Sequence, residues 1–180
     1  MATRTRPDTA APAPSSAEPR WLSPAEERSW VATSGMMLLL PAALDGQLQR
    51  DSGLSLFEYF VLSRLSMAPG RTLRMSELAG FANGSLSRLS NVVKRLEQRG
   101  WMHRDPDPDD GRYTVASLTD SGFATVVAAA PGHVHAVRAY LIDLLSADEV
   151  ATLASIGNRV ADRIRLAGAC SVVAPPDAGC

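Results

Sequence analysis

The chain has 180 residues, of which 46% are hydrophobic, and a formal net charge of -1 at pH 7. This length suits one domain of ordinary size, and this hydrophobic content is enough to fill its core. The charge excludes a chain that binds polyanions over its whole surface, so any contact with nucleic acid has to come from a local basic patch.

Residues 1–20 predict a disordered tail, because they are rich in Pro, Ala and Ser and contain no apolar run. The segment has the pattern of neither a signal peptide nor a membrane span. The longest apolar run, 35–44, is too short to cross a bilayer and contains Pro41. We therefore expect a soluble protein of the cytoplasm.

Capping boxes predict three helices, because a Ser placed three residues before a Glu satisfies the first free backbone amides of a helix. The three boxes begin at Ser23, Ser55 and Ser146. We expect the first helix to run to about Gln49 with a kink at Pro41. We expect the third to end before Gly168.

Residues 75–82 predict a short helix, which the Asn83-Gly84 turn joins to a longer one over 85–100. This arrangement is a helix-turn-helix. The longer helix has an apolar stripe at three- and four-residue spacing, formed by Leu86, Leu89, Val92, Val93 and Leu96. Its other face carries side chains suited to DNA phosphates and base edges, namely Ser85, Ser87, Arg88, Asn91, Lys94 and Arg95. The alternative is a solvated charged face.

A β-hairpin follows this helix. Residues 101–104 predict one strand, 105–112 a turn rich in Pro, Asp and Gly, and 113–119 the returning strand. Arg112 lies at the tip, and Asp110 is close enough in sequence to bond its guanidinium or the turn backbone. An arginine held in this way suits the negative potential of a narrow minor groove. The alternative is an ordinary surface hairpin.

The basic residues of the chain concentrate around these elements. Residues 71–104 contain seven Lys and Arg against two Glu, a local balance of +5. We expect Arg74 and Ser76 to contact the DNA backbone. After the hairpin, Thr119 predicts the cap of a long helix that reaches Leu145 and is interrupted at Pro131-Gly132.

The segments LEQRGWMHR, DPDDGR and VASLTDSG together resemble the MarR (multiple antibiotic resistance regulator) family of bacterial transcription factors. The resemblance covers about residues 21–166, and its signature is an Asp-x-Arg hairpin followed by Leu-Thr. The matching positions are Asp110, Arg112, Leu118 and Thr119. It implies a mainly α fold with a small β-wing, a winged helix-turn-helix with terminal dimerisation helices. The expected organisation is a tail at 1–20, a winged-helix domain at 21–168 with its DNA-binding part at about 54–118 and dimerisation helices at about 23–49 and 120–167, and a flexible tail at 169–180.

The resemblance also implies a homodimer that binds a palindromic operator on double-stranded DNA, as a repressor that releases it on an effector signal. The terminal helices carry more apolar residues than one winged unit can bury, including Trp21, Leu22, Trp30, Val31, Leu141, Leu144, Leu145, Val150 and Leu153. In the family, effectors bind in a crevice between the dimer helices and the winged part. Here the crevice would draw on Trp30, Met36, Met37, Leu40, Tyr59, His133, Val137 and Tyr140, side chains typical of adaptable pockets for a small aromatic or amphipathic molecule. The same residues at helical spacing also suit a plain core.

Two other classes of function remain open at this point. One is the dimerisation module of a methyltransferase-like enzyme, although the chain lacks a Gly-rich nucleotide loop and a convergent catalytic set. The other is a winged helix that only binds proteins. We predict no cofactor and no metal site, because His133 and His135 point to different faces of a helix. Cys170 and Cys180 are expected in a tail after the last helix, as free thiols.

Overall fold

The computed structural model describes the backbone of residues 19–81 and 86–173, and the side chains of residues 19–80 and 89–167. Its elements in chain order are α1 (Pro24–Ser52), α2 (Leu56–Ser66), a 3-10 turn (Pro69–Arg71), β1 (Thr72–Arg74), α3 (Met75–Phe81), α4 (Leu86–Gln98), β2 (Met102–Pro106), β3 (Thr114–Leu118), α5 (Asp120–Tyr140), a second 3-10 turn (Ile142–Leu144) and α6 (Ala147–Val173). The predicted fold class, mainly α with a small β-wing, is confirmed. The predicted turn at Asn83-Gly84 and Ser85 lie outside the described residues.

The three predicted capping boxes are confirmed. At the start of α2, the Ser55 hydroxyl accepts a hydrogen bond from the Glu58 amide, and the Glu58 carboxylate accepts one from the Ser55 amide. Ser23 with Glu26 forms the same reciprocal pair before α1. Ser146 with Glu149 forms it before α6. Each box satisfies two amides that the helix itself leaves unpaired.

Both terminal helices are longer than predicted. Helix α1 stays helical through Pro41 and ends at Ser52 instead of Gln49. Helix α6 continues past Gly168 to Val173, so Cys170 lies within the helix and the prediction that it belongs to a tail is wrong. A single glycine costs a helix only about 1 kcal/mol relative to alanine, which is too little to end it.

The predicted interruption of α5 at Pro131-Gly132 is also wrong, because the helix runs through both residues. It ends at Tyr140, five residues before the predicted end at Leu145, and a 3-10 turn follows. Proline removes one amide donor and strains the preceding turn. Here the buried side chains of Ala129, His133 and Ala136 keep the helix packed against the core on both sides of Pro131-Gly132.

A three-stranded antiparallel sheet with the order β1-β3-β2 holds the hairpin to the helical part. The hairpin, called the wing from here on, consists of β2, the wing loop (residues 107–113) and β3. Strand β1 was not predicted, because three residues carry too little pattern to be recognised. It pairs along its whole length with β3, from Thr72 opposite Ser117 to Arg74 opposite Val115.

Residue contacts divide the chain after Met36, and the core lies in the second unit. The largest fully buried side chains there come from α1, α2, α3, α4 and the connection before α2: Leu48, Leu54, Val61, Leu62, Leu65, Leu78, Leu89, Val93 and Leu96. In the first unit, the side chains Trp21, Leu22, Trp30 and Val31 are exposed. Among the described helices, none combines the length and the apolar character that a membrane span needs.

Candidate nucleic-acid interface

Helix α4 has one buried face and one exposed face, as its sequence predicts. Leu89, Val92, Val93 and Leu96 are buried in the core. On the opposite side, Asn91, Lys94 and Arg95 are exposed. The side chains of Ser87 and Arg88 belong to the part of the helix whose side chains the structure does not describe. The exposed face therefore presents an amide and two cations in one stripe.

The C-terminal end of α4 is tied to the start of α5. Gly100 ends the α4 segment with a φ of 69°, a left-handed conformation that favours glycine. Its carbonyl accepts hydrogen bonds from the Thr119 hydroxyl at 2.8 Å and the Ser121 hydroxyl at 3.0 Å. Thr119 is also the N-cap of α5, since its hydroxyl accepts from the Gly122 amide. The end of α4 and the start of α5 are therefore joined by direct hydrogen bonds.

Arg112 is held outward on the wing by Asp110. Its Nη2 lies 2.6 Å from Asp110 Oδ2 and its Nε 2.9 Å from Oδ1. The Arg112 backbone amide donates to the same carboxylate. The hydrogen bonds from the guanidinium and the amide hold the pKa of Asp110 below its usual range. The Arg112 side chain remains 84% exposed, so the pairing directs the guanidinium without burying it.

Arg74 lies at the base of the wing, where it binds Asp107. Arg74 Nε donates to Asp107 Oδ2 at 2.6 Å, and the Asp107 side chain is only 6% exposed. The guanidinium also lies 4.6 Å from the centre of the Tyr113 ring. Sequence reasoning assigned Arg74 to the DNA backbone and did not single out Asp107. Four aspartates within six residues gave no signal that one of them is buried.

Arg95 also has an internal partner. Its Nε donates to Glu58 Oε1 at 3.0 Å, and the Glu58 side chain is 5% exposed. Burial alone would raise the pKa of Glu58, but hydrogen bonds from Ser55 and Arg95 outweigh burial and lower it. Arg95 borders a cavity of about 700 Å³ between α1, α2 and α4, lined among others by Asp45, Phe57 and Asn91. The sequence did not single out Glu58 as a partner of Arg95, because 37 residues separate the two.

The basic patch is less positive than its sequence suggests. Of its six cations whose side chains the structure describes, four are paired with carboxylates, in the pairs Arg71–Asp120, Arg74–Asp107, Arg95–Glu58 and Arg104–Glu97. Three of these carboxylates lie outside 71–104 and were not counted in the local balance of +5. Arg99 donates to the Gly53 carbonyl and stacks on Trp101. Ser76 is exposed on α3.

The structure brings together two of the residues predicted to line an effector crevice. The rings of Tyr59 and His133 lie 4.4 Å apart, and both side chains are buried. Burial lowers the pKa of His133, whose Nδ1 has no hydrogen-bond partner among the described residues. Of the other predicted residues in the second unit, Leu40 and Val137 are half-buried and Met37 and Tyr140 are exposed. Trp30 and Met36 belong to the first unit and are exposed.

His133 and Tyr59 border a second cavity, of about 640 Å³. Its wall comes from α2, α3, α5 and α6 and includes Arg64, Met67 and Arg165. His135, two residues from His133, is exposed, so the two histidines face different sides as predicted. In the described part of the chain, no group of three or more His, Cys, Asp or Glu side chains is placed to hold a metal ion.

Comparisons of the chain with known proteins identify similar sequences and structures. A model of the MarR family matches residues 54–114. The chain is similar to Sco3205 of Streptomyces coelicolor, a MarR family transcriptional regulator solved in complex with DNA, with 42% identity over 81% of this chain and 91% of that chain and a TM-score of 0.77. AbsC, a MarR family transcriptional regulator from the same organism, shows 34% identity over 82% of this chain and 99% of that chain, with a TM-score of 0.77.

A curated relative gives the same result over a shorter stretch. The HTH-type transcriptional regulator YdcH of Bacillus subtilis is 35% identical over 46% of this chain. The match spans 63% of YdcH, which is less than two thirds of its length. All these relatives are transcriptional regulators, which decides against the enzyme-module alternative.

Proposed function

Because the chain belongs to the MarR family of transcriptional regulators, we propose that it binds double-stranded DNA as a homodimeric repressor of a pseudo-palindromic operator. The observation that carries this proposal is the exposed guanidinium of Arg112, directed away from the wing by Asp110. A cation held in one direction and left open to solvent suits the narrow minor groove.

The exposed face of α4 is assigned to the major groove. Asn91 suits the edge of adenine, and Lys94 suits a phosphate or the guanine acceptors. Ser85, Ser87 and Arg88 keep the same assignment from the sequence alone. Ser76 on α3 is exposed and is assigned to the DNA backbone. Arg74 and Arg95 hold buried carboxylates, so their first role is to fix the wing and α4 in place.

Dimerisation is supported by apolar side chains that one chain leaves exposed. On α6, Ile156, Val160 and Ile164 are between 44% and 53% exposed and recur at helical spacing. Leu144, before α6, is 71% exposed. A second copy would cover this stripe, and two-fold symmetry would place the two α4 helices about 34 Å apart, one turn of DNA. This geometry requires a pseudo-palindromic operator.

A small effector is assigned to the cavity beside His133. Its wall combines the rings of Tyr59 and His133 with the flexible Met67 and the cations of Arg64 and Arg165. Such a wall suits a small aromatic or amphipathic molecule. Binding there would act on α2 and α5, the helices that support the DNA-binding part. The proposed place of action is the cytoplasm.

The experiment is a titration of the full chain against a duplex selected from a random double-stranded pool. Arg112→Ala is expected to weaken binding about tenfold or more, because each subunit then lacks one good interaction with the groove. The matched control is Arg138→Ala, which removes an exposed arginine paired with Asp143 on the turn after α5. Equal affinities of the Arg112→Ala variant and the unmodified chain would refute the wing assignment. Selection of no duplex at all would refute DNA binding itself.

A further inference from the structure

Asp107 is a buried carboxylate at the first position of the wing loop. Its Oδ1 accepts a hydrogen bond from the Asp109 amide at 2.9 Å, and its own amide donates to the Tyr113 carbonyl at 2.9 Å. The Asp107 amide therefore closes the loop onto its last residue, and the carboxylate fixes the turn that follows. The hydrogen bond from Asp109 contributes most to lowering the pKa of Asp107, and the bond from Arg74 lowers it further.

Arg74 reaches this loop from a different part of the fold. It is the last residue of β1, opposite Val115 on β3, and α3 begins directly after it. Its guanidinium contacts both ends of the wing loop, since it binds Asp107 at 2.6 Å and lies over the ring of Tyr113. Among the residues that the structure describes, Arg74 is the only side chain outside the wing that hydrogen-bonds to the loop.

We propose that Arg74 and Asp107 are positioning residues that set the direction of the wing relative to α3 and thereby deliver Arg112 to the minor groove. This inference rests on the proposed DNA-binding function. The Arg74–Asp107 pair fixes the base of the wing loop, and the Asp110–Arg112 pair fixes its tip. The second pair depends on the first, because Arg112 at the tip can enter the minor groove only if the wing loop that carries it points toward that groove. The competing role for Arg74 is a direct bond to a phosphate.

A double-mutant cycle separates these roles. The unmodified chain, Arg74→Ala, Arg112→Ala and the double variant are titrated against two duplexes with the same selected core and either A·T-rich or G·C-rich flanks. Arg112 favours the A·T-rich flank, because its narrow minor groove attracts arginine. We expect Arg74→Ala to reduce that flank preference nearly as far as Arg112→Ala does. The double variant should bind within about twofold of Arg112→Ala alone, because Arg74 acts through Arg112.

Additive effects would overturn the inference. If Arg74 binds a phosphate directly, the double variant binds about tenfold more weakly than Arg112→Ala. The log-log slope of its salt dependence would also fall by about 0.9 for each phosphate that is no longer bound. In that case the flank preference of Arg74→Ala stays intact. An Arg74→Ala variant with unchanged affinity and preference would overturn the inference as well.

Three further variants keep the test specific. Asp107→Asn preserves the acceptor for the Asp109 amide but weakens the attraction for Arg74, so it should lower the flank preference without unfolding the wing. Arg74→Lys keeps the charge and should restore part of the preference. Arg71→Ala is the matched control, because Arg71 pairs with Asp120 on α5 and lies over Phe123. If the unmodified chain bound and only Arg112→Ala had an effect, this inference would fail while the proposed function stood.

Discussion

The pair between Arg95 and Glu58 predicts a stability defect that a purely DNA-contacting arginine would not show. Arg95→Ala leaves the Glu58 carboxylate, 5% exposed, without its guanidinium partner. A hydrogen bond to a charged group contributes about 1.5 to 3 kcal/mol. Because Arg95 itself is half exposed and screened by solvent, we expect the lower value, a loss of about 1.5 kcal/mol in the free energy of unfolding at pH 7.

The pH dependence of this loss follows from the lowered pKa of Glu58. A carboxyl whose pKa is lower in the folded state contributes stability that is fully present above its unfolded value of 4.5 and is lost as the pH falls through the folded value. In Arg95→Ala the remaining burial raises the pKa of Glu58 relative to the unmodified chain. The difference between the two proteins should therefore be largest near pH 7, shrink as the pH falls below 4.5, and vanish only below the lowered pKa of Glu58 in the unmodified chain.

Urea denaturation at a fixed protein concentration, repeated from about pH 7.5 to about pH 3, measures this difference. Lys94→Ala is the matched control, because Lys94 is exposed on the same helix and its removal should change stability by less than about 0.5 kcal/mol. A loss below about 0.5 kcal/mol for Arg95→Ala at pH 7 would refute the reasoning. A loss that stays constant down to the lowest pH would show that Glu58 is not its cause.

Three further predictions concern packing, titration and salt. Gly122→Ala should lower the free energy of unfolding by about 3 kcal/mol or more, since a Cβ there would lie 2.0 Å from the Trp101 carbonyl oxygen. Gly35→Ala, with open space around it in α1, should instead stabilise the chain by about 0.5 to 1 kcal/mol. Thermal unfolding of both variants checks this. Burial lowers the pKa of His133, so the stability that His133 contributes is present above about pH 6.5 and is lost as the pH falls. His133→Phe should therefore flatten the dependence of the free energy of unfolding on pH between about pH 7 and 5. A dependence as steep as that of the control His135→Phe would contradict this. The logarithm of DNA affinity should fall with the logarithm of salt concentration with a slope of about -5. This value is the low end for about 6 to 10 phosphate contacts, because four cations of the basic patch already bind carboxylates. A slope near zero in a salt titration would exclude phosphate binding.

The sequence by itself determined the features that depend on residues close together in the chain. The caps at Ser23, Ser55 and Ser146 each involve a partner three residues away, so the pattern alone identifies them. The same holds for Arg112 and Asp110, two residues apart, and for the apolar stripe of α4, which follows from helical spacing. Local geometry restricts such pairs to a few arrangements, and the residue types then decide between them.

Only the tertiary structure decided the features that join distant segments. Arg74 meets Asp107 across 33 residues and Arg95 meets Glu58 across 37, so spacing does not reveal either pair. The same limit hid β1, whose three residues form a strand because β3 lies beside them. It also led to the wrong break in α5, where buried side chains outweigh the local effect of Pro131. The free energy of packing is summed over many contacts between residues that are distant in sequence. A short window of neighbouring residues does not contain those contacts, so it does not predict their effect.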